Sequence, residues 1–187
     1  MNNATASLPL MLKKLRLGAF REQWESIADK ALHDQWRPEQ YLSELCHIEL
    51  ASRTDKRQLR YVKESNLPSG KHLGGFDFTA IEGVTKPKMY ELADNHDWVT
   101  QGANLLLFGA SGVGKTHLAS SLGYSLIEAG IRVKFYSASA LVQYLQEAKK
   151  LLKLQDALNK LDKYQALIVD DIGYIKKTEQ ETSVIFE

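Results

Sequence analysis

The pattern of hydrophobic and polar positions divides the chain into a helical first part and a mixed second part. Before residue 66, apolar residues recur three or four positions apart in three stretches, which predicts helices. The first helix is expected around Leu12 to Phe20 with Pro9 before it, the second over 21–34, and the third from Pro38 to about Lys63. The first third of the chain is therefore predicted to be helical.

After residue 76 the pattern alternates between short apolar runs and helical periodicity. The predicted elements are a buried strand over 104–108, a helix over 117–129 ended by Gly130, a strand over 131–136, a helix capped by Ser139, and a strand over 166–169. Strands that alternate with helices favour a parallel sheet with crossover helices. The fold class is therefore predicted to be α/β, preceded by a small helical N-terminal region.

A loop-forming composition separates the two parts. Asparagine, proline, serine and glycine cluster between residues 66 and 75, and such residues favour turns and linkers. We therefore divide the chain into a helical region (1–66), a linker (67–80) and a core domain (81–187).

The amino-acid composition indicates a globular protein and excludes several other classes. Hydrophobic residues make up 44% and charged residues 25% of the 187 positions, as in globular domains. The net charge of +1 hides an asymmetry: residues 1–75 hold 12 basic and 9 acidic residues, whereas residues 76–187 hold 12 and 14. No apolar run approaches the roughly 18 residues of a membrane span, and no secretory signal opens the chain. The single cysteine, Cys46, fits a reducing compartment, so we expect a cytoplasmic protein without membrane contact.

The strongest chemical signal is a glycine-rich phosphate-binding loop. The segment matches G-x-x-x-x-G-K-[ST] at every fixed position, and its residues are Gly109, Ala110, Ser111, Gly112, Val113, Gly114, Lys115 and Thr116. Glycines let successive backbone N–H groups point at one anion, and the next helix adds its positive end. Lys115 is suited to reach the β- and γ-phosphates, and the Thr116 hydroxyl to ligate Mg²⁺. An apolar run before the loop and a helical pattern after it fit a P-loop NTPase.

A second chemical signal follows the phosphate loop, with one predicted strand between the two. ALIVDD ends an apolar strand with Asp170 and Asp171, at the sheet edge where the phosphate loop also lies. We expect Asp170 to hold Mg²⁺, directly or through water. Asp171 is expected to act as general base or to position the attacking water.

Together these motifs resemble the IstB-like ATP-binding proteins, a branch of the AAA+ class beside the DnaC helicase loader. The resemblance rests on GKTHLA, on Gly130, Val133, Phe135 and Tyr136, and on DDIGY at 170–174. It extends upstream through LRLGAFREQWE, YLSELCHIELASR and LPSGKHLGGFDF. One departure is Asp171, where AAA+ ATPases usually carry glutamate, which puts the hydrolysis rate in question more than ATP binding.

The resemblance implies ATP and Mg²⁺ as cofactors and a helper role in DNA transposition. It further implies contact with double-stranded DNA at low sequence specificity, an IstA-type transposase as partner, and a homo-oligomer formed through the ATPase domain. The alternative, from a different functional class, is a replicative helicase loader that acts as a protein–protein adaptor. Binding to a transposase or to a helicase would separate the two.

Candidate DNA contacts lie on the third predicted helix. If this segment is helical, five basic side chains share an arc of roughly 120°: Arg53, Lys56, Arg57, Arg60 and Lys63. Such a stripe could follow phosphates. An ordinary solvated helix face is the other interpretation, and only the resemblance favours DNA.

His117 and two phenylalanines just after the loop-forming cluster are further candidates, and each of them allows two interpretations. His117 follows Thr116, so its backbone N–H is expected to contact a phosphate, whereas no catalytic role is expected for its imidazole. Phe76 and Phe78 either flank the adenine or form a hydrophobic seam. Nothing in their spacing decides between these roles.

The chain ends at SVIFE, within an expected structural element. By the resemblance, the predicted strands correspond to the first, second and third of an AAA+ core, in which the fourth strand normally lies between the first and third. The fourth strand with its sensor residue, the arginine finger and the fifth strand would follow residue 187. We therefore expect a C-terminally truncated core, with unpaired strand edges and poor turnover. An ATP-binding remnant without hydrolysis is thus a third possibility.

Overall fold

A computed structural model describes residues 3–174 of the chain. These residues form an α/β fold that consists mostly of helices and contains a small parallel sheet, which confirms the predicted fold class. They separate into two compact units between Arg57 and Gln58, earlier in the chain than the predicted linker. The functional division at residues 66 and 80 stays a prediction, and SVIFE lies outside the described residues. No helix within 3–174 is long and apolar enough to cross a membrane.

The N-terminal unit contains two helices and most of a third: α1 (Asn3–Lys14), α2 (Gly18–His33) and α3 (Pro38–Ser65). The predicted boundaries of the first helix were wrong. Pro9 lies inside α1 rather than before it, and Phe20 belongs to the first turn of α2. The helices separate because Arg16 adopts a left-handed conformation with φ of 58°, which a regular helix cannot include.

A buried carboxylate fixes the start of α2. Glu49 is only 7% exposed, and its Oε2 accepts hydrogen bonds from the backbone N–H groups of Ala19 at 2.8 Å and Phe20 at 3.3 Å. The first N–H groups of a helix have no partner within the helix, so Glu49 satisfies them from α3. Arg53 completes the arrangement, because its Nε donates to Glu49 Oε1 at 2.8 Å and its Nη2 donates to the Arg16 carbonyl at 3.1 Å.

This arrangement predicts an acid-sensitive contribution to stability. Burial alone would raise the pKa of Glu49, but hydrogen bonds from Arg53, Phe20 and Ala19 and the charge of Arg53 together lower it. A lowered pKa stabilises the fold above the unfolded value of roughly 4.3, and this contribution is lost as pH falls through the folded value. We expect Glu49→Gln to lower the free energy of unfolding at pH 7 by about 1–3 kcal/mol.

Urea denaturation of wild type and Glu49→Gln at pH 7 and at about pH 4 measures this effect. The difference between the two proteins should shrink at the lower pH. Glu25→Gln, at an exposed position of α2, is the matched control and should change stability little at either pH. A Glu49→Gln difference that is independent of pH would show that the carboxylate charge is not responsible.

The second unit contains the last turns of α3 and the sheet. Its further elements are α4 (Lys86–Asp94), α5 (Asp97–Thr100), α6 (Lys115–Glu128), β1 (Val133–Ser137), α7 (Ala138–Lys150), α8 (Leu154–Leu161) and β2 (Ala166–Asp170). The two strands run parallel, with Val133 opposite Ala166 and Ser137 opposite Asp170. Helices α7 and α8 form the crossover between them, as the alternating pattern predicts.

The predicted end of α6 is confirmed, whereas the predicted start of α7 is wrong. Gly130 follows α6 with φ of 84°, as expected for a glycine that ends a helix. The predicted cap Ser139 was wrong, because β1 extends to Ser137 and α7 begins directly after it. The Ser137 side chain accepts a hydrogen bond from the Ala140 N–H at 3.3 Å and is the actual cap.

The predicted buried strand over 104–108 is also wrong for the described part of the chain. This segment precedes the glycine-rich loop, but it belongs to no sheet, and Leu106 is 64% and Phe108 86% exposed. A strand needs a neighbour for its backbone groups, and within residues 3–174 β1 and β2 pair only with each other.

Helix α6 lies at the centre of the second unit's core. Its N-terminal half packs in a cluster with Leu73, Met89 and Ala93, and its C-terminal half with Ile131 and Val133. At Gly123 the helix passes so close to its neighbours that a β carbon would lie 2.9 Å from methyl groups of Ile168 and Leu67. The loop at the start of α6 is therefore attached to a well-packed helix.

Candidate functional site

The glycine-rich loop lies directly before α6. Residues 109–113 are exposed, and Gly114 is the residue before the helix, with a left-handed φ of 94°. The first N–H groups of α6 have no partner within the helix, and the helix dipole makes this end positive. The exposed loop and the helix start therefore present unpaired N–H donors and a positive dipole end, which are suited to an anion.

Gly114 is required for two reasons. Its left-handed φ is unfavourable for residues with a side chain. In addition, a β carbon at this position would lie 2.5 Å from Cε2 of Phe76, closer than any real carbon contact. The sequence motif reveals the first requirement, but the contact with Phe76 becomes visible only in the structure.

Lys115 directs its ammonium group to the loop. Its Nζ donates hydrogen bonds to the carbonyls of Gly109 at 2.9 Å and Ala110 at 2.6 Å. These two bonds use two of the three donors of the ammonium group, and they hold its positive charge at the loop.

The structure brings the two sequence motifs together. The Thr116 hydroxyl donates a hydrogen bond to Asp170 Oδ2 at 2.7 Å, although the residues are 54 positions apart. Thr116 lies in the first turn of α6 and Asp170 ends β2, so the carboxyl edge of the sheet meets the helix start. A hydroxyl and a carboxylate oxygen at this distance can act on the same cation.

Asp171 lies immediately beyond the strand. It is exposed and has a left-handed φ of 58°, a conformation that aspartate tolerates better than most residues. The chain turns at this point, because a short 3-10 helix follows at Ile172–Tyr174. Asp171 is therefore accessible to solvent and lies next to Asp170 in the chain.

The His117 side chain contacts the linker. Its Nε2 donates to the His72 carbonyl at 3.0 Å; because a carbonyl only accepts, Nε2 carries the hydrogen. The ring also packs edge to face against Phe76, with centroids 5.1 Å apart. Phe76 and Phe78 pack against the core cluster of Leu73 and its neighbours, as the hydrophobic-seam interpretation predicts.

The donor set of the site fits ATP with Mg²⁺. Mg²⁺ prefers oxygen ligands and usually keeps waters and substrate phosphates in its coordination shell, and Thr116 with Asp170 supplies protein oxygens at one point. Throughout residues 3–174, no three or more His, Cys, Asp or Glu side chains form a metal-binding group. A Mg²⁺ ion here would thus complete its coordination with phosphate and water oxygens.

The basic stripe is confirmed as helical, since all five residues lie on α3. All five side chains are exposed. Arg53 is bound to Glu49, and Arg60 lies 3.8 Å from the Glu64 carboxylate. The last two side chains therefore have intramolecular partners of opposite charge.

Comparison with known proteins gives a consistent result. The profile of the family described as IstB-like ATP binding protein matches residues 10–187. An insertion-sequence ATP-binding protein from Sinorhizobium fredii is 43% identical over 97% of this chain and 61% of its own length. The corresponding protein of insertion sequence IS21 from Pseudomonas aeruginosa is 32% identical over 96% of this chain and 67% of its own length. One from Geobacillus stearothermophilus is 30% identical over 93% of this chain and 69% of its own length.

Proposed function

This chain belongs to the family of IstB-like ATP-binding proteins, and we propose that it binds ATP with Mg²⁺. We further propose that ATP binding is coupled to DNA binding and to recruitment of a transposase during DNA transposition. The observation that carries the proposal is the 2.7 Å hydrogen bond between Thr116 and Asp170 at the start of α6. It joins a phosphate-binding loop to an acidic strand end, which is the arrangement that a Mg²⁺-nucleotide requires. The chain spans 61% of the length of the Sinorhizobium relative, so the activity and partners of the whole protein are part of the proposal.

Each residue of the loop has a role in this proposal. The phosphates would be bound by the backbone N–H groups of residues 110–117, which include Ala110, Ser111, Gly112, Val113 and His117. Gly109 and Gly114 would give the loop its shape. Lys115 would hold the β- and γ-phosphates. Thr116 and Asp170 would hold Mg²⁺, which neutralises phosphate charge when bound.

Hydrolysis is proposed to depend on Asp171. Its carboxylate is exposed beside Asp170 and would accept a proton from water or orient that water. The resemblance further supports a homo-oligomer formed through the ATPase domain, and an IstA-type transposase as the partner. Co-purification with such a transposase, compared with a replicative helicase, would separate a transposition helper from a helicase loader.

The proposed DNA contacts are best supported where no intramolecular carboxylate within residues 3–174 competes for the basic side chain. All five residues of the stripe are exposed, but Arg53 and Arg60 lie against carboxylates. An arginine that is already bound to a carboxylate must lose that partner before it contacts a phosphate. We therefore propose that Lys56, Arg57 and Lys63 contribute more to DNA binding than Arg53 and Arg60.

We expect Lys56→Ala/Arg57→Ala to weaken binding to duplex DNA of any sequence. Each lost phosphate contact should make the slope of log K against log salt less steep by about 0.9. Fluorescence anisotropy with two unrelated duplexes over a series of salt concentrations, with and without ATP, measures both effects. ATP should strengthen DNA binding by the wild type.

The matched control is Lys86→Ala/Lys88→Ala, which removes two exposed lysines from α4. It should leave the salt slope unchanged. Equal slopes for wild type and the α3 variant would exclude Lys56 and Arg57 as phosphate contacts. DNA affinity that is the same with and without ATP would contradict the coupling.

A further inference from the structure

Aromatic side chains from the linker pack on the phosphate loop. We call His72, Phe76 and Phe78 the aromatic clasp. The Phe76 ring occupies the space beside the Gly114 α carbon: the three heavy atoms nearest to a β carbon built at Gly114 all belong to Phe76. Phe78 supports this ring edge to face, with centroids 4.8 Å apart.

The clasp is tied to α6 at two further points. The His117 imidazole, in the first turn of the helix, donates to the His72 carbonyl at 3.0 Å and packs against Phe76. The His72 ring lies 4.6 Å from the Tyr124 ring, about two turns further along α6. The linker is therefore held along the same helix whose first turn carries the phosphate-binding groups.

We propose that Phe76 is a positioning residue for the nucleotide site, an inference that rests on the proposed binding of ATP at this loop. Residues 109–113 are exposed, so the shape of the loop depends on contacts at its helical end. Phe76 is half-buried, packs against the core cluster and touches Gly114, where the loop becomes helix. It thereby holds the Gly114 backbone in the conformation that directs the N–H groups toward phosphate.

The same contacts couple the linker to the nucleotide. A ligand that requires the loop geometry favours the state in which Phe76 lies against Gly114. By linkage, ATP must then stabilise the clasp as much as the clasp strengthens ATP binding. Amide hydrogens of residues 72–78 should therefore exchange more slowly when ATP is bound.

Phe76→Ala tests the proposal, with Phe78→Ala as the matched control. Both remove a half-buried phenyl ring from the same cluster, but only the first removes the ring placed beside Gly114. We expect Phe76→Ala to raise the Kd for ATP by about 5- to 50-fold, which lies within the roughly 5- to 150-fold typical of coupled sites. Phe78→Ala should raise it by less than about threefold, and Phe76→Leu should lie between wild type and Phe76→Ala.

Titration with a fluorescent ATP analogue gives the Kd values, thermal melting without nucleotide gives stability, and hydrogen exchange reports on residues 72–78. ATP should slow exchange there in wild type and Phe78→Ala but not in Phe76→Ala.

If both alanine variants lose ATP affinity equally, or neither does, the positioning role is overturned while ATP binding stands. If the wild type does not bind ATP, the proposed function fails and this inference with it. Should Phe76→Ala not fold, Phe76→Leu carries the same comparison.

Discussion

Replacing Lys115 with alanine is expected to reduce ATP affinity by about 3 kcal/mol, or roughly 150-fold. The ammonium group lies over the loop, 2.9 Å from the Gly109 carbonyl and 2.6 Å from the Ala110 carbonyl. From there it is proposed to form charge-assisted hydrogen bonds with the β- and γ-phosphates, each contributing about 1.5–3 kcal/mol. Alanine removes all of these donors. Isothermal titration with ATP measures the loss.

A control variant and a folding measurement show whether the loss of ATP affinity is caused by Lys115 itself. Lys88→Ala removes an exposed lysine that pairs with Glu91 on α4 and should leave the Kd for ATP unchanged. Circular dichroism of Lys115→Ala should show a wild-type spectrum, since its exposed contacts to the loop contribute little to the core. Equal ATP affinity in wild type and Lys115→Ala would refute the placement of phosphates at this loop.

The second large effect is expected from Asp170→Asn. Asparagine can still accept the hydrogen bond that Thr116 donates to Asp170 at 2.7 Å, but it lacks the negative charge that attracts Mg²⁺. Titration with ATP in Mg²⁺ and in chelator should therefore show a large Mg²⁺-dependent gain in affinity for the wild type. We expect this gain to fall by about 10- to 100-fold in the variant, as for other groups that organise a bound metal.

Asp171→Asn is the matched control, because it makes the same chemical change one residue later. It should retain the Mg²⁺-dependent gain in ATP affinity and lose any ATP hydrolysis, measured as phosphate release. The two variants thus separate a metal-holding from a water-activating carboxylate. If Asp170→Asn retains the full Mg²⁺ dependence, Asp170 does not hold the metal.

The sequence predicted those features that depend on local chemistry. The phosphate loop, the helix after it and the acidic strand end follow from glycine, lysine and aspartate at fixed spacings. The 2.7 Å bond between Thr116 and Asp170 agrees with the expectation that the acidic strand end lies beside the phosphate loop, although the segment before the loop pairs with neither β1 nor β2. Gly130 was predictable for the same reason, because a glycine after an apolar helical pattern commonly ends a helix.

The features that were missed depend on contacts distant in sequence. The apolar run at 104–108 has the composition of a buried strand, but pairing requires a neighbour that composition does not supply. Ser137 and Ser139 are equally good caps, and only the length of β1 selects Ser137. The contact of Phe76 with Gly114 joins two residues with no shared motif, so its detection required the structure.

The packing of Phe76 on Gly114 limits which suppressor mutations can arise at this site. A smaller residue at position 76 would relieve the collision with an alanine at 114, where the β carbon would lie 2.5 Å from the ring. It would not relieve the left-handed φ of 94°, which costs a residue with a side chain about 1–2 kcal/mol. A genetic screen that starts from Gly114→Ala should therefore return true revertants to glycine far more often than second-site changes in the linker.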